Sequence, residues 1–284
     1  MEIIKAIIIG LIQGLTEFFP VSSSGHLVIF PYFFKWTTPS LFFNVLLHFA
    51  TLLSIVTVFY KEVGRIAASF FKGIFKKEFR SDRYFKLSLF IIIATIPAAI
   101  IGFLFNDFFE KIFENPVYAA YFLLLTAAVL LSFERIGKKN EKQALKDSSG
   151  IPEISWLSSV SAGIGQAAAI LPGLSRSGMT ISSMRIFGIN RQEAVKFSFF
   201  MSIPIIAGSF FYELYKLAKG DINLGTSVLN YSLTNAAGFL AAYLSGLFAV
   251  RFLIRFSQKR NLNIFALYCI ALSVAFFIVY LIRR

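Results

Sequence analysis

The sequence predicts an all-α integral membrane protein, because its composition is too apolar for a soluble domain. Hydrophobic residues make up 57% of the 284 positions and charged residues only 15%, against roughly 45–50% and about 25% in soluble domains. The mean hydropathy is +0.71, and the chain carries 35 phenylalanines. A soluble protein of this size leaves much of its surface in water, so lipid must surround most of this chain.

Six apolar runs predict membrane-spanning helices. A helix needs roughly 17–25 residues to cross about 30 Å of hydrocarbon, and these runs meet or approach that length. They are residues 41–60, 87–106, 117–133, 197–212, 233–250 and 262–282.

Two further apolar segments, 3–15 and 154–171, are short and run into turns rich in proline, serine and glycine. Segments that break in this way are typical of re-entrant hairpins, whose irregular backbone must be surrounded by protein or by a water-filled cavity. The sequence therefore predicts re-entrant helical hairpins at 3–36 and 154–189. An eight-span arrangement, in which both hairpins cross the membrane fully, stays open.

An internal repeat relates the two halves of the chain at an offset of 153 residues. The identical pairs are Gly10 and Gly163, Gln13 and Gln166, Ser22 and Ser175, Ser24 and Ser177, and Gly25 and Gly178. Each half would hold one hairpin and three spans, and an odd number of spans places the halves in opposite orientations. We predict a single membrane domain over 1–284 with an inverted-topology repeat, the first unit covering 1–133 and the second 154–284.

The distribution of basic residues predicts the orientation of the chain. A net charge of +13 suits nucleic-acid binding or loops on the cytoplasmic side of a membrane, and the composition favours the membrane. Segments 61–86, 134–196 and 251–261 hold 21 of the 28 Lys and Arg residues. We therefore place these segments in the cytoplasm and the first hairpin and both termini outside. We expect no nucleic-acid partner.

The first hairpin carries the most polar motif of the chain, from Gln13 to His26. Gln13 and Glu17 are four residues apart, so they share one face of a helix. Pro20 ends that helix, and the serines that follow can cap the next one, whose free backbone N–H groups suit an anion. A carboxylate and an imidazole beside them suit cation binding and proton transfer.

The second hairpin carries Pro172-Gly173 followed by a serine- and arginine-containing helix start. Arg176 offers planar, bidentate donors that match phosphate oxygens. Under the repeat, Arg176 takes the place of Ser23, and Ile170 the place of Glu17. The two hairpins together predict a buried site for a multiply charged phosphate, since ionisable residues at membrane depth mark function.

Three other polar residues in apolar surroundings receive structural interpretations. For His48, in the first span, a helix-contact role is favoured over a role in the site. Glu213 and Arg185 are interpreted as charges at the membrane interface.

The two motifs resemble those of the undecaprenyl-diphosphatase family, integral-membrane phosphatases associated with bacitracin resistance, and the likeness covers essentially the whole chain. That family has a Glu/Gln-x-x-x-Glu motif followed by Pro-Val-Ser-Ser-Ser/Thr-Gly-His, and a second motif, Pro-Gly-x-Ser-Arg-Ser-Gly-x-Thr. The first is matched by Gln13, Glu17, Pro20, Val21, Ser22, Ser23, Ser24, Gly25 and His26, and the second by Pro172, Gly173, Ser175, Arg176, Ser177, Gly178 and Thr180.

The resemblance implies hydrolysis of undecaprenyl diphosphate to the monophosphate, which recycles the lipid carrier for peptidoglycan and other envelope polymers. It also implies dependence on Mg²⁺ or Ca²⁺, a bacterial plasma-membrane location with the site open to the outer face, and compatibility with a homodimer. Many members have Glu where this chain has Gln13. A neutral amide binds a divalent cation more weakly than a carboxylate.

These motifs assign a hypothetical role to each site residue. Arg176 clamps the phosphates, and Glu17 holds the cation with Gln13 as a weaker partner or, alternatively, orients the attacking water directly. His26 acts as general base, either on water or on Ser23 as nucleophile. The remaining motif residues bind substrate: Ser22, Ser24, Gly25, Ser175, Ser177, Gly178 and Thr180. A transporter or flippase for a polyprenyl phosphate is the alternative, because inverted repeats with broken helices are also a transporter architecture.

Overall fold

The structure is a computed structural model that describes residues 2–37, 40–146, 153–219 and 228–284. These residues form helices, with no β-strand among them. The helices are α1 (Glu2–Thr16), α2 (Ser23–Phe34), α3 (Leu41–Val58), α4 (Tyr60–Phe75), α5 (Arg83–Leu104), α6 (Asn106–Phe113), α7 (Pro116–Lys146), α8 (Trp156–Ala168), α9 (Arg176–Ile186), α10 (Arg191–Lys219), α11 (Val228–Lys259) and α12 (Asn263–Arg283), with a short 3₁₀ turn at Lys77–Ser81.

Six of these helices are long and apolar enough to cross a membrane, which confirms the six predicted spans. They are α3, α5, α7, α10, α11 and α12. The four hairpin helices have 15, 12, 13 and 11 residues. At about 1.5 Å per residue each falls well short of the roughly 30 Å of hydrocarbon, so the lengths favour paired half-helices over an eight-span arrangement.

Three helices extend far beyond the apolar runs that predicted them. The run at 117–133 belongs to a helix of 31 residues, 197–212 to one of 29 and 233–250 to one of 32. Charged residues end an apolar window, but Lys, Arg and Glu are good helix formers and do not end the helix. The predicted ends of these spans were therefore wrong, although their positions were correct.

Each hairpin packs its first helix against a span of the other half of the chain. Helix α1 lies on α11 and α8 lies on α5. Glycine makes both contacts close: a Cβ on Gly10 would lie 2.2 Å from the carbonyl oxygen of Gly238, and one on Gly163 would lie 2.7 Å from that of Ala94. This exchange of partners accords with a repeat, whereas the inverted orientation of the two units stays a prediction.

The tips of the two hairpins meet inside the protein. A Cβ on Gly25 would lie 3.0 Å from the Cα of Gly173, and the Ser177 hydroxyl donates to the carbonyl of Phe19 at 3.0 Å. Helix α7 supports the second tip, because the Thr126 hydroxyl donates to the Gly173 carbonyl. The packing therefore brings the two polar motifs together.

Two charges interpreted as interfacial are buried instead. Arg185 is only 1% exposed and donates to the Glu141 carboxylate at 2.9 Å and to the Ile189 carbonyl at 2.7 Å. Glu213 is 6% exposed and accepts from Lys216 within the same helix. Both side chains therefore face protein, whereas their position at the membrane interface stays a prediction.

Candidate active site

The site is centred on the carboxylate of Glu17, which is buried in the turn after α1. Its Oε2 accepts from the Ser23 hydroxyl at 2.6 Å and from Gln13 Nε2 at 2.9 Å. The ring Nδ1 of His48 lies 3.0 Å from the same oxygen. One oxygen atom therefore gathers side chains from α1, α2 and α3.

The other carboxylate oxygen joins the two hairpins. Arg176 Nη2 donates to Glu17 Oε1 at 2.6 Å, and Nη1 donates to the backbone carbonyl of Ser198 at 3.2 Å. A guanidinium has five N–H donors, so these two contacts leave three for other acceptors. Glu17 of the first motif and Arg176 of the second thus form one ion pair, although they are 159 residues apart in the sequence.

His48 joins the cluster from α3, so the contact between helices that the sequence favoured is made with the candidate site itself. Besides its contact with Glu17, its Nδ1 lies 2.9 Å from Gln13 Nε2. The sequence offered one signal for this, since a polar side chain within an apolar span is costly unless it faces a polar interior. The motif-based prediction missed it because α3 stands outside both hairpins.

The hydroxyl groups of both motifs cap the helices that follow. Ser22 Oγ accepts from the backbone N–H of Gly25 at 3.2 Å, and Ser175 Oγ accepts from that of Gly178 at 3.1 Å. Such caps fix the first turn of each helix and leave other N–H groups there free to face an anion. At the second helix the Thr180 hydroxyl is also tied to the Ser198 hydroxyl, at 2.6 Å.

His26 follows the capping serine of the first tip, and both of its ring nitrogens contact groups other than the Glu17 carboxylate. Its Nδ1 is 2.7 Å from the Ser22 carbonyl, and its Nε2 is 2.7 Å from the hydroxyl of Tyr268 on α12. The ring is only 1% exposed. Its predicted role as general base on Ser23 stays a prediction, and Tyr268 is a partner that the motifs did not indicate.

The cluster is closed on the Glu17 side and open on the other. The Glu17 side chain is 4% exposed, whereas those of Arg176 and His48 are 15% and 29% exposed. A polar ligand can therefore approach the ion pair of Glu17 and Arg176 from the side of Arg176 and His48.

The donor set fits a divalent cation with oxygen ligands. Glu17 supplies a carboxylate, Ser23 a hydroxyl and Gln13 an amide whose buried Oε1 has no hydrogen-bond partner. Such a cation is held by one or two carboxylates together with phosphate oxygens of a substrate. Among the described residues, no group of three or more His, Cys, Asp or Glu side chains surrounds a metal position, so amide and hydroxyl ligands would have to contribute.

Fold and site together define a multi-pass membrane protein with a buried, ion-paired centre where two hairpins meet. The chain belongs to the bacitracin resistance protein BacA family, whose model matches residues 6–275. A protein named undecaprenyl-diphosphatase from Methanobrevibacter smithii is 40% identical over 98% of this chain and 97% of its own length. Proteins of the same name from Thermodesulfovibrio yellowstonii and Moorella thermoacetica are 39% and 34% identical, with 99% and 100% of their lengths covered.

Proposed function

We propose that the protein hydrolyses undecaprenyl diphosphate to undecaprenyl phosphate and inorganic phosphate. This activity recycles a lipid carrier for cell-wall synthesis and counters bacitracin. The observation that carries the proposal is the ion pair between Glu17 and Arg176, with the Ser23 hydroxyl on the same carboxylate. A carboxylate, a guanidinium and a hydroxyl at one buried point supply the positioning and charge neutralisation that phosphoryl transfer requires. The undecaprenyl-diphosphatase relatives match over nearly their full lengths.

The charge of the site explains why a cation is needed. Glu17 already balances the positive charge of Arg176, so the cluster has little net charge to offer a diphosphate. A divalent cation, Mg²⁺ or Ca²⁺, would supply the missing positive charge at the phosphate oxygens. Glu17 and Gln13 are the residues that would hold it.

The substrate's diphosphate would bind between the hairpin tips while its prenyl chain stays in the bilayer. The free donors of Arg176 would clamp phosphate oxygens, helped by hydroxyl and backbone N–H groups at both helix starts. These groups belong to Ser22, Ser24, Gly25, Ser175, Ser177, Gly178 and Thr180. The caps already formed by Ser22 and Ser175 would keep these N–H groups in place during the reaction.

Two routes for the attack share these residues. In the first, the Ser23 hydroxyl, which donates to Glu17 at 2.6 Å, attacks the terminal phosphorus, the phosphoanhydride bond breaks and undecaprenyl phosphate leaves; water then hydrolyses the phosphoserine to free serine and inorganic phosphate. In the second, water attacks directly. The short Ser23 contact favours the serine route, and His26 would accept a proton in either route through a change of partner from Tyr268.

The proposal includes an orientation and an assembly. The distribution of Lys and Arg supports an orientation in which the hairpin of Glu17 faces the outer side of the bacterial plasma membrane. The matched helix caps at an offset of 153 residues support a repeat, whose odd number of spans would invert one unit relative to the other. A homodimer is compatible with the apolar faces of the spans. A polyprenyl-phosphate flippase is the alternative function, favoured only by the hairpin architecture.

Phosphate release from undecaprenyl diphosphate by detergent-purified protein tests the function, with and without EDTA. We expect release by the parent and loss of release under EDTA, restored by added divalent cation. No release by a folded, lipid-binding parent would contradict the proposal and would lead to a flipping assay in proteoliposomes. A phosphoserine trapped at Ser23 would establish the serine route, whereas near-normal turnover in Ser23→Ala would exclude it.

A matched control separates loss of the site from loss of the fold. Glu213→Gln changes another buried glutamate, which pairs with Lys216 outside the site. We expect Glu17→Gln to abolish release and Glu213→Gln to retain it within a few-fold. Equal losses in both variants would show that general stability, and not the site, limits the assay.

A further inference from the structure

We propose that His48 is a ligand of the divalent cation, together with Glu17 and Gln13. The inference rests on the cation dependence proposed above and adds a nitrogen donor from α3, outside both motifs. His48 reaches the site from the middle of a span, and its ring is 29% exposed on the open side of the cluster.

Three atoms form a closed triangle at this point. Gln13 Nε2 and Glu17 Oε2 are 2.9 Å apart, Gln13 Nε2 and His48 Nδ1 are 2.9 Å apart, and His48 Nδ1 and Glu17 Oε2 are 3.0 Å apart. All three edges have hydrogen-bond length.

Hydrogen bonds alone cannot satisfy all three edges. If Gln13 donates to both neighbours, the bare Nδ1 of His48 faces a carboxylate oxygen, lone pair against lone pair. If His48 donates to Glu17, its N–H faces the N–H of Gln13. Turning the amide of Gln13 removes that clash but brings the amide oxygen against the carboxylate oxygen of Glu17. An ionised carboxylate can only accept, so that edge would have no donor.

A cation would resolve the conflict on every edge. Each of the three residues has a lone pair to give: a carboxylate oxygen, an imidazole nitrogen and, after an amide turn, a carbonyl oxygen. The buried Oε1 of Gln13 has no hydrogen-bond partner in the described structure, so no bond to it is lost when the amide turns.

The triangle has the size that a small cation requires. Two neighbouring ligands at about 2.1 Å from an octahedral ion lie about 3.0 Å apart. The observed edges match this spacing. An imidazole in the donor set favours first-row transition ions over Mg²⁺ and Ca²⁺, so Mn²⁺, which also accepts oxygen ligands, is the expected best fit.

The chain contains only two histidines, and this makes a spectroscopic test decisive. Tag-free, metal-stripped protein is loaded with Mn²⁺, and electron spin echo modulation detects any imidazole nitrogen bound to the ion. We compare the parent with His48→Gln and with His26→Gln, the other histidine serving as the matched control. Melting temperatures show which variants are folded.

We expect nitrogen modulation in the parent and in His26→Gln, and its loss in His48→Gln. The Mn²⁺ dissociation constant should rise at least about tenfold in His48→Gln. Loss of a residue that only hydrogen-bonds to a metal ligand already weakens metal binding by about that factor. Ca²⁺ should bind the parent at least about tenfold more weakly than Mn²⁺.

Three results would overturn the inference: no Mn²⁺ binding by the folded parent, bound Mn²⁺ without nitrogen modulation, or modulation that persists in His48→Gln. If His48→Gln does not fold, His48→Ala is measured in its place. The parent spectrum also tests the inference by itself, because bound Mn²⁺ without nitrogen modulation would reject it. Phosphate release is measured separately. Release that depends on a cation bound without His48 would reject this inference while leaving the proposed function intact.

Discussion

The two hairpin tips share a backbone frame and differ in the chemistry placed on it. Each tip caps its second helix with a serine that accepts from a glycine N–H three residues later, Ser22 with Gly25 and Ser175 with Gly178. At the positions of Glu17, His26 and His48, an offset of 153 residues leads to apolar Ile170, Met179 and Met201. Only Arg176 makes the second tip ionic.

This difference shows that one backbone frame can carry two kinds of chemistry. The first tip carries Glu17 and His26 and lies against His48 of α3, while the second contributes the guanidinium of Arg176. Gln166, the counterpart of Gln13, has neither amide atom hydrogen-bonded among the described residues and is 2% exposed. Both halves of the chain thus carry a glutamine at this position, but only Gln13 contacts ionisable side chains, those of Glu17 and His48.

The largest expected effect comes from substituting Glu17, the acid that distinguishes the first tip from the second. Glu17→Ala removes the carboxylate that joins both tips and leaves the guanidinium of Arg176 buried without its partner, a cost of about 3–5 kcal/mol. We expect phosphate release to fall by at least about a thousandfold, as expected when charge neutralisation in phosphoryl transfer is lost. Release from undecaprenyl diphosphate is the measurement.

The counterpart substitution Ile170→Ala is the control for that result. It removes a larger side chain at the matching position of the second tip but no charge. We expect release within a few-fold of the parent. A loss as large as that of Glu17→Ala would contradict the assignment of the chemistry to the first tip.

The second prediction concerns the one charge of the second tip. Arg176→Lys keeps the charge but lacks the planar fork that reaches Glu17 and Ser198 together. We expect release to fall about a hundredfold, or about 2.7 kcal/mol of transition-state stabilisation. The fall should appear in kcat and not only in KM, since the clamp acts on the transferring phosphoryl group.

Arg185→Lys is the matched control on the same helix. Arg185 is also ion-paired, with Glu141, but lies at the far end of α9 from the hairpin tip. We expect a lower melting temperature with kcat within a few-fold of the parent. If both lysine variants lose the same activity, the guanidinium fork of Arg176 has no special role.

The third prediction tests how tightly the second tip packs against α7. Gly173 has a φ of 98°, and a Cβ there would lie 2.2 Å from the carbonyl oxygen of Ala119. Gly173→Ala should therefore cost roughly 2–3 kcal/mol in stability, from the left-handed backbone and the overlap together. Thermal unfolding in detergent measures the cost.

Gly64→Ala provides the opposite expectation. Gly64 lies in α4, with open space where a Cβ would stand, so alanine should stabilise that helix by up to about 1 kcal/mol. A melting temperature lowered equally by both substitutions would mean that Gly173 does not pack tightly against α7.

Hydropathy and motifs predicted the spans and most of the site, for physical reasons. A span must be apolar along its whole length, so six windows sufficed to find six helices. Motif residues such as Gln13, Glu17 and Ser23 lie close in sequence, and local helix geometry brings them together. Arg176 was predicted to face them because the hairpins were expected to meet.

The remaining parts of the site depend on packing between distant helices. His48 and Tyr268 enter from α3 and α12, each as one of a few polar side chains in a largely apolar span, and no local pattern gives their register. The buried pair of Arg185 and Glu141 was missed for the same reason. A polar residue in a span indicates an internal contact, but its partner appears only once the helices are packed.

The smallest expected effect concerns His26, whose counterpart in the second tip is Met179. Tyr268→Phe removes the hydroxyl that lies 2.7 Å from His26 Nε2 and keeps the ring that lies beside the imidazole. One lost hydrogen bond of this kind is worth about 1 kcal/mol. If Tyr268 orients His26 for proton transfer, kcat should fall about fivefold, while KM and the melting temperature stay near their parent values.

Tyr280→Phe, on the same helix, removes a hydroxyl near Tyr32 and Phe276, remote from His26, and should leave kcat unchanged. A purely structural role for Tyr268 would instead lower the melting temperature and leave kcat intact. Unchanged kcat in Tyr268→Phe would therefore remove this residue from the positioning of His26. The first tip would then owe its chemistry to Glu17 and His48, with His26 as part of the frame that both tips share.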